Sequence, residues 1–198
     1  MRILRTGDYR RMPWKNGGGE TTEMVVSPAA ASLHDFDWRV SMARVGAPGP
    51  FSRFPGIERT LSVIDGQGLI LLFEDQQPTA LDRHSEPFTF SGDAAVDSRL
   101  VEGPIEDLNV MTRRERCRHD VTKHSLTSST RISLNGKMTI LVANGGTIDI
   151  STDPQVATLT SRDALVLEPD EASTVVANAH DKADLFVIEI AFDDGTLR

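Results

Sequence analysis

Residues 12–19 concentrate residue types that bind small anions. Lys15 and Asn16 stand beside Trp14 and ahead of three consecutive glycines. Backbone N–H groups left open by such glycines, together with a cation and an amide, are suited to hold a carboxylate. The tract fits neither glycine-rich phosphate-loop pattern, so a nucleotide site is not expected. The alternative is a plain glycine-rich turn with a solvated lysine.

A second tract, residues 49–60, carries Phe51 and Ser52 and ends near Arg59, directly before an apolar run. An arginine at the mouth of a barrel would hold an anion through a bidentate guanidinium contact. The alternative is a rigid connection whose arginine pairs with a surface carboxylate.

The third tract, residues 107–113, alternates in polarity, which predicts a strand with Asp107, Asn109 and Met111 on one face. These side chains either line a cavity or pack against a loop. No Ser–His–Asp order and no carboxylate dyad is present, so no catalytic residue is assigned. If the chain is an enzyme, a general base has to come from Glu20, Glu58 or Asp107, with burial raising its pKa.

Neither a metal nor another cofactor is expected. Catalytic iron, manganese or zinc needs two or three histidines with a carboxylate. No His-x-His occurs, and the five histidines are scattered: His34, His84, His119, His124 and His180. The single cysteine, Cys117, excludes an internal disulfide and suits a reducing compartment.

Charge and length exclude other classes of function. The net charge of −8 would repel nucleic acid and anionic membranes, and most of the acidic excess lies after residue 100. The start of the chain lacks the apolar stretch of a signal peptide, and no apolar run approaches the roughly 20 residues of a membrane span. We therefore expect a cytoplasmic protein with no nucleic-acid or membrane partner.

Short β-prone runs separated by glycine and proline turns predict an all-β chain. The predicted strands include residues 38–43, 61–64, 69–73, 138–144, 147–150, 164–167, 173–178 and 185–191. A hairpin near Asp65 and one near Asn144 are each followed, about 40 residues later, by a similar run that begins with aspartate. This weak repeat predicts two small barrels in tandem, unless it is chance similarity among hairpins.

Four motifs in order, residues 12–19, 36–43, 49–61 and 107–114, closely resemble those of the HutD/Ves family. The resemblance implies a bicupin fold, two cupin-like double-stranded β-helix barrels packed as one unit, over 1–114 and 115–198. It also implies a sensing or regulatory role in histidine utilisation, with urocanate, formylglutamate or formiminoglutamate as candidate ligands. The segment 49–59 lacks the histidines of metal-dependent cupins, so the likeness to catalytic cupins extends to the fold only.

The resemblance further implies a ligand pocket in the first barrel. Its expected residues are Lys15, Asn16, Trp38, Arg39, Ser41, Phe51, Ser52, Arg59, Asn109, Met111 and Arg113. We expect a metal-free binding protein for a small carboxylate, with Arg59 as the carboxylate clamp, existing as a monomer or a homodimer. The alternative is a metal-independent isomerase or hydrolase acting on a small organic acid.

Overall fold

The computed structural model describes residues 1–15, 17–135 and 138–193, and nearly all of its regular structure is β-strand. The chain divides into an N-terminal unit, Arg10–Cys117, and a C-terminal unit made of Met1–Tyr9 and the chain from Arg118 onward. These bounds differ from the expected 1–114 and 115–198 by three residues at the second boundary and, more importantly, at the start of the chain. The reason is that the strand Arg2–Leu4 pairs with Ala164–Leu167 and so joins a sheet of the C-terminal unit.

The described residues form nineteen strands and one short 3₁₀ turn, Thr6–Asp8. The strands are β1 (Arg2–Leu4), β2 (Arg10–Pro13), β3 (Gly19–Ser27), β4 (Trp38–Val45), β5 (Gly49–Pro50), β6 (Ile57–Asp65), β7 (Leu69–Phe73), β8 (Thr79–Leu81), β9 (Phe88–Ser91), β10 (Val96–Leu100), β11 (Ile105–Arg113), β12 (Cys117–Leu126), β13 (Ser129–Ser133), β14 (Met138–Gly145), β15 (Ile148–Ser151), β16 (Val156–Leu159), β17 (Ala164–Leu167), β18 (Thr174–Ala179) and β19 (Ala183–Phe192). In the part of the chain described, no helix has the length and apolar character needed to cross a membrane.

Two antiparallel sheets build the N-terminal unit. One has six strands in the order β2-β3-β4-β11-β6-β9, and the other has four in the order β5-β10-β7-β8. Both sheets contribute to one core, with Leu61 and Val63 from the first and Leu69 and Leu71 from the second. The two residues of each pair are separated by one residue along their strand, because successive side chains of a strand point to opposite faces.

The C-terminal unit is built in the same way. Its sheets have the strand orders β1-β17-β14-β19-β12 and β13-β18-β15-β16. Leu141 and Leu165 of the larger sheet meet Ile148 and Val175 of the smaller one in a fully buried core.

The order of strand pairing repeats between the two units. The order β9-β6-β11-β4 corresponds to β17-β14-β19-β12, and β5-β10-β7-β8 corresponds to β13-β18-β15-β16, with every strand number raised by eight. Two antiparallel sheets around one core are the architecture of cupin-like barrels. The predicted all-β chain with two cupin-like barrels is therefore confirmed.

Candidate functional site

A cavity of about 570 Å³ lies in the N-terminal unit, within the size range of small-molecule sites. Its walls are formed by the central strands of the six-stranded sheet and by the loops that carry Trp14 and Phe51. The cavity brings together eight of the residues expected from the sequence: Lys15, Arg39, Ser41, Phe51, Ser52, Arg59, Asn109 and Met111. Asn16 lies outside the described residues.

The register of three strands explains why tracts far apart in the sequence meet at this cavity. β11 pairs with β4 on one side and with β6 on the other. Residues two apart on each strand therefore form rows across one face of the sheet. The rows are Arg39–Met111–Arg59, Ser41–Asn109–Leu61 and Ala43–Asp107–Val63.

Arg59 is a cation held almost entirely away from water, with 5% of its surface exposed. Three aromatic rings surround its guanidinium carbon, Phe51 at 5.3 Å, Phe54 at 5.5 Å and Phe90 at 5.1 Å from their centroids. Its Nη1 donates to the Ser52 carbonyl oxygen at 3.2 Å. Burial lowers the pKa of Arg59 to about 10, even though the negative charge of a nearby carboxylate acts to raise it.

Arg59 remains incompletely satisfied. Within the described residues its buried Nε has no hydrogen-bond partner. A buried guanidinium N–H without a partner costs free energy, so the native state favours an acceptor there. The aromatic surroundings also exclude water, which strengthens a charge-assisted contact to any anion that enters.

Arg39 differs from Arg59 because its charge is already paired. Its Nε donates to Glu23 Oε2 at 2.7 Å, and its Nη1 donates to Ser41 Oγ at 3.3 Å. Arg39 is 5% exposed and the Glu23 side chain is 13% exposed, so this ion pair is largely buried. Of the two buried arginines that line the cavity, Arg59 is therefore the one available to a ligand.

Asp107 and Asn109 place acceptors on the same wall. Asp107 is 1% exposed and Asn109 is 7% exposed. The Oδ1 atoms of both lack a hydrogen-bond partner among the described residues. Burial raises the pKa of the Asp107 carboxyl to about 7, against the lowering effect of Arg59 and with a smaller contribution from Glu106.

The described residues of the glycine-rich tract between β2 and β3 place Trp14 at the cavity. The Trp14 N–H donates to the Gly19 carbonyl at 2.9 Å, and its indole Nε1 donates to Thr21 Oγ1 at 2.8 Å. A Cβ on Gly19 would lie 2.3 Å from the Arg44 carbonyl oxygen and 3.0 Å from the indole ring. Only glycine fits here, and Lys15 stays exposed at the rim.

The loop between β5 and β6 is fixed by backbone hydrogen bonds. The Phe51 N–H donates to the Val96 carbonyl at 2.8 Å, and the Phe54 N–H donates to the Gly92 carbonyl at 2.7 Å. The two phenylalanines are thereby held against Arg59 as the apolar wall of the cavity.

Trp38 and Arg113, both expected in the pocket, lie elsewhere. Trp38 is one residue before Arg39 on β4, so its side chain points to the opposite face, where it is buried. Arg113 stacks on Phe36 at 5.9 Å and donates to the carbonyl oxygens of Phe36 at 3.1 Å and His34 at 2.8 Å. It anchors the loop between β3 and β4, which carries the cavity residue Leu33.

Sequence reasoning left three important cavity residues out of the pocket set: Trp14, Phe54 and Asp107. The sequence did indicate the position of Asp107, because the alternation in residues 107–113 predicts that it lies on the same face as Asn109 and Met111. Trp14 and Phe54 lie in the tracts that supplied Lys15 and Phe51. Their roles become visible only in the structure, where Trp14 donates to Thr21 and the ring of Phe54 packs against the Arg59 guanidinium.

The position of the C-terminal unit that matches Asp107 is apolar. Leu185 pairs with Ala143, two residues before the end of β14, just as Asp107 pairs with Val63, two residues before the end of β6. Leu185 is completely buried in its core. Among the described residues of either unit, no three histidine, cysteine or acidic side chains are grouped as metal ligands.

The sequence matches the family described as HutD over residues 6–186. Protein Ves of Citrobacter koseri is 41% identical over 138 residues, which cover 68% of this chain and 71% of that protein. An uncharacterised 21.2 kDa protein from the hutC 3′ region of Pseudomonas putida is 34% identical over 172 residues, covering 86% of this chain and 88% of the relative.

Solved structures show the same architecture. A conserved protein of unknown function from Pseudomonas aeruginosa PAO1 has a TM-score of 0.89 at 32% identity, covering 96% of this chain and 98% of its own. HutD from Pseudomonas fluorescens SBW25, solved in a formate condition, has a TM-score of 0.81 at 29% identity, with coverages of 97% and 98%. The Escherichia coli pirin YhhW in complex with nickel(II) has a TM-score of 0.69 at 8% identity, with coverages of 95% and 97%, and shows the fold alone.

Proposed function

This chain belongs to the HutD family, and from that premise we propose that its N-terminal unit binds a small carboxylate metabolite in the regulation of histidine utilisation. The observation that carries the proposal is Arg59, a buried cation that lines a ligand-sized cavity with an unpartnered Nε. Burial and the three phenylalanines make this guanidinium a strong partner for one carboxylate.

The link to histidine utilisation is supported by the relatives. The Pseudomonas putida protein is named for the hutC 3′ region, and the Pseudomonas fluorescens protein is named HutD. Urocanate, formylglutamate and formiminoglutamate are the candidate ligands. The net charge of −8 supports a small anion rather than a polyanion, because it repels polyanions while the enclosed Arg59 can still attract a small anion.

Metal-free binding is supported by the chemistry of the cavity wall. Its polar side chains carry ammonium, guanidinium, indole, carboxyl, amide and hydroxyl groups, and no histidine is among its lining residues. A guanidinium holds a carboxylate directly, so no bridging cation is required. A monomer or a homodimer serves this function equally well, because every cavity residue comes from the N-terminal unit.

Titration calorimetry with the three candidate acids tests the proposal on wild type and Arg59→Met. Methionine keeps an apolar stem against the phenylalanines and removes the charge. We expect wild-type binding of at least one acid and a loss of about 2–5 kcal/mol in Arg59→Met, typical of a buried charge contact. The matched control is Arg53→Met, which changes an exposed arginine of the same loop and should leave the affinity unchanged.

The proposal fails if none of the three acids binds to wild-type protein. It also fails if Arg59→Met binds them as tightly as wild type does. A parallel loss in Arg53→Met would indicate that the general charge of the protein, rather than the Arg59 site, attracts the acid.

One observation favours a second candidate, a metal-independent isomerase or hydrolase. Asp107 lines the cavity and has a pKa of about 7, which suits a general acid or base at neutral pH. Glu20 and Glu58 are not among the residues that line the cavity. Product formation from a bound acid, abolished by Asp107→Asn, would support this candidate, whereas binding without product excludes it for that acid.

A further inference from the structure

The cavity wall contains a hydrogen-bond donor and two acceptors that lack partners among the described residues. Arg59 Nε is a donor without an acceptor, whereas Asp107 Oδ1 and Asn109 Oδ1 are acceptors without a donor, within the residues described. All three side chains are more than nine-tenths buried and line the same cavity. A ligand with carboxylate oxygens alone would satisfy Arg59 and leave both acceptors unpaired.

The donor and the acceptors are separated along the sheet. Arg59 stands beside Met111, and Asp107 lies four residues earlier on β11. At roughly 3.3 Å per strand residue, their rows are about 13 Å apart at the backbone, before the side chains reach toward each other. Among the described residues the two do not form an ion pair with each other, so the space between them is available to a ligand with two different ends.

The charges of the buried side chains also favour a ligand with two unlike ends. Arg39 and Glu23 neutralise each other through their ion pair. Apart from Lys15, which is exposed at the rim, this leaves Arg59 as the positive group and Asp107 as the acidic group, at opposite ends of the polar wall. Above pH 7, where Asp107 is ionised, a dicarboxylate that spans from Arg59 to Asp107 would place its second negative end against this carboxylate, and like charges repel strongly away from water.

We infer that the ligand is an acid with two unlike ends, a carboxylate for Arg59 and a nitrogen group with N–H donors, such as an imidazole, amidine or amine, for Asp107 and Asn109. This inference rests on the proposed function and narrows its ligand class. Asn109 accepts an N–H through its amide oxygen, and the Asp107 carboxylate accepts a neutral or cationic one.

A pair of matched probes tests the inference by calorimetry at pH 8. Urocanate and cinnamate share the acrylate carboxylate, but the imidazole of urocanate carries an N–H and the phenyl ring of cinnamate does not. We expect wild type to bind urocanate about tenfold to a hundredfold more tightly, the usual effect of a hydrogen bond to a charged group.

Substitutions of Asp107 test whether this residue causes the preference for urocanate over cinnamate. Asp107→Leu, which introduces the residue type found at the matching position of the C-terminal unit, should bind the two acids within about threefold of each other. Asp107→Asn keeps an amide oxygen that accepts an N–H and should retain part of the preference for urocanate. Asp97→Asn, an exposed aspartate of the smaller sheet, is the control and should discriminate as wild type does. Tryptophan fluorescence of each variant checks that the N-terminal unit is folded.

The outcomes separate the two proposals. Equal binding of both acids to wild type, or full discrimination in Asp107→Leu, overturns the inference and leaves carboxylate binding intact. Binding of neither acid overturns both. Tighter binding of urocanate that is lost in Asp107→Leu supports the two-ended ligand.

Discussion

Replacing Asp107 by asparagine should stabilise the N-terminal unit, and the gain should grow as the pH rises. Burial raises the pKa of this carboxyl from 3.8 to about 7, so the folded chain holds its proton at pH values where the unfolded chain has released it. Between about pH 4 and 7 the folded state therefore binds more protons than the unfolded state. Its stability falls as the pH rises through this interval and is constant above it.

The size of the effect follows from the shift in pKa. The pKa shift of about three units corresponds to at most about 4 kcal/mol, at about 1.4 kcal/mol for each unit. This is the largest amount by which ionisation of Asp107 lowers the unfolding free energy of the wild type above pH 7. Asparagine has nearly the same shape and does not ionise. The difference in unfolding free energy between variant and wild type should thus widen by up to about 4 kcal/mol from pH 4 to pH 8.

Urea unfolding followed by tryptophan fluorescence measures this difference. Both tryptophans of the chain, Trp14 and Trp38, lie in the N-terminal unit, so the signal reports the unit that contains Asp107. Asp97→Asn is again the control, and its difference from wild type should not change in the same way with pH. A gap between Asp107→Asn and wild type that is flat within about 0.5 kcal/mol, or that narrows with rising pH, would refute the reasoning.

Three other substitutions have clear expected outcomes. Gly19→Ala should cost about 1–3 kcal/mol in urea unfolding, because its Cβ would meet the Arg44 carbonyl oxygen at 2.3 Å, whereas Gly7→Ala, with nothing within 4 Å, should cost far less. Trp38→Phe should leave the ligand affinity measured by calorimetry within about twofold, since its indole faces away from the cavity and its Nε1 has no hydrogen-bond partner in the described chain. Asp163→Asn should lower the unfolding temperature of the C-terminal unit at pH 7 and flatten its dependence on pH below 4. Burial acts to raise the pKa of Asp163, but hydrogen bonds from an arginine and two threonines lower it to about 2, so its stabilisation is lost as the pH falls toward that value.

The barrel fold was accessible to sequence reasoning because its inner strands carry strong local patterns. The apolar runs 69–73 and 164–167 match β7 and β17 to the residue. β12 was not among the predicted strands, although it spans ten residues. Its sequence mixes charged and polar side chains with few apolar ones, and only its pairing with β19 makes it a strand.

The site was only partly accessible for a different reason. Alternation along β4 already separates Arg39 and Ser41 from Trp38, yet family resemblance placed all three in one pocket. The structure shows that only the first two face the cavity. Which face of a strand turns inward depends on its partners across the sheet, and this information is not contained in one strand.

The importance of Asp107 depends on burial, which no local pattern reveals. Sequence alternation placed it beside Asn109 but did not show that both would lose water without gaining a protein partner. Nor did the sequence show that Glu23 forms an ion pair with Arg39, whereas Arg59 remains available to a ligand. Both facts arise from contacts between β3, β4, β6 and β11, which are far apart along the chain.

A crystal structure of the protein grown with urocanate tests the central claim most directly. The account predicts the carboxylate of the acid within hydrogen-bond distance of the Arg59 guanidinium, with its imidazole directed toward Asp107 and Asn109. An acid bound outside the cavity, or one whose carboxylate lies away from Arg59, would contradict the account.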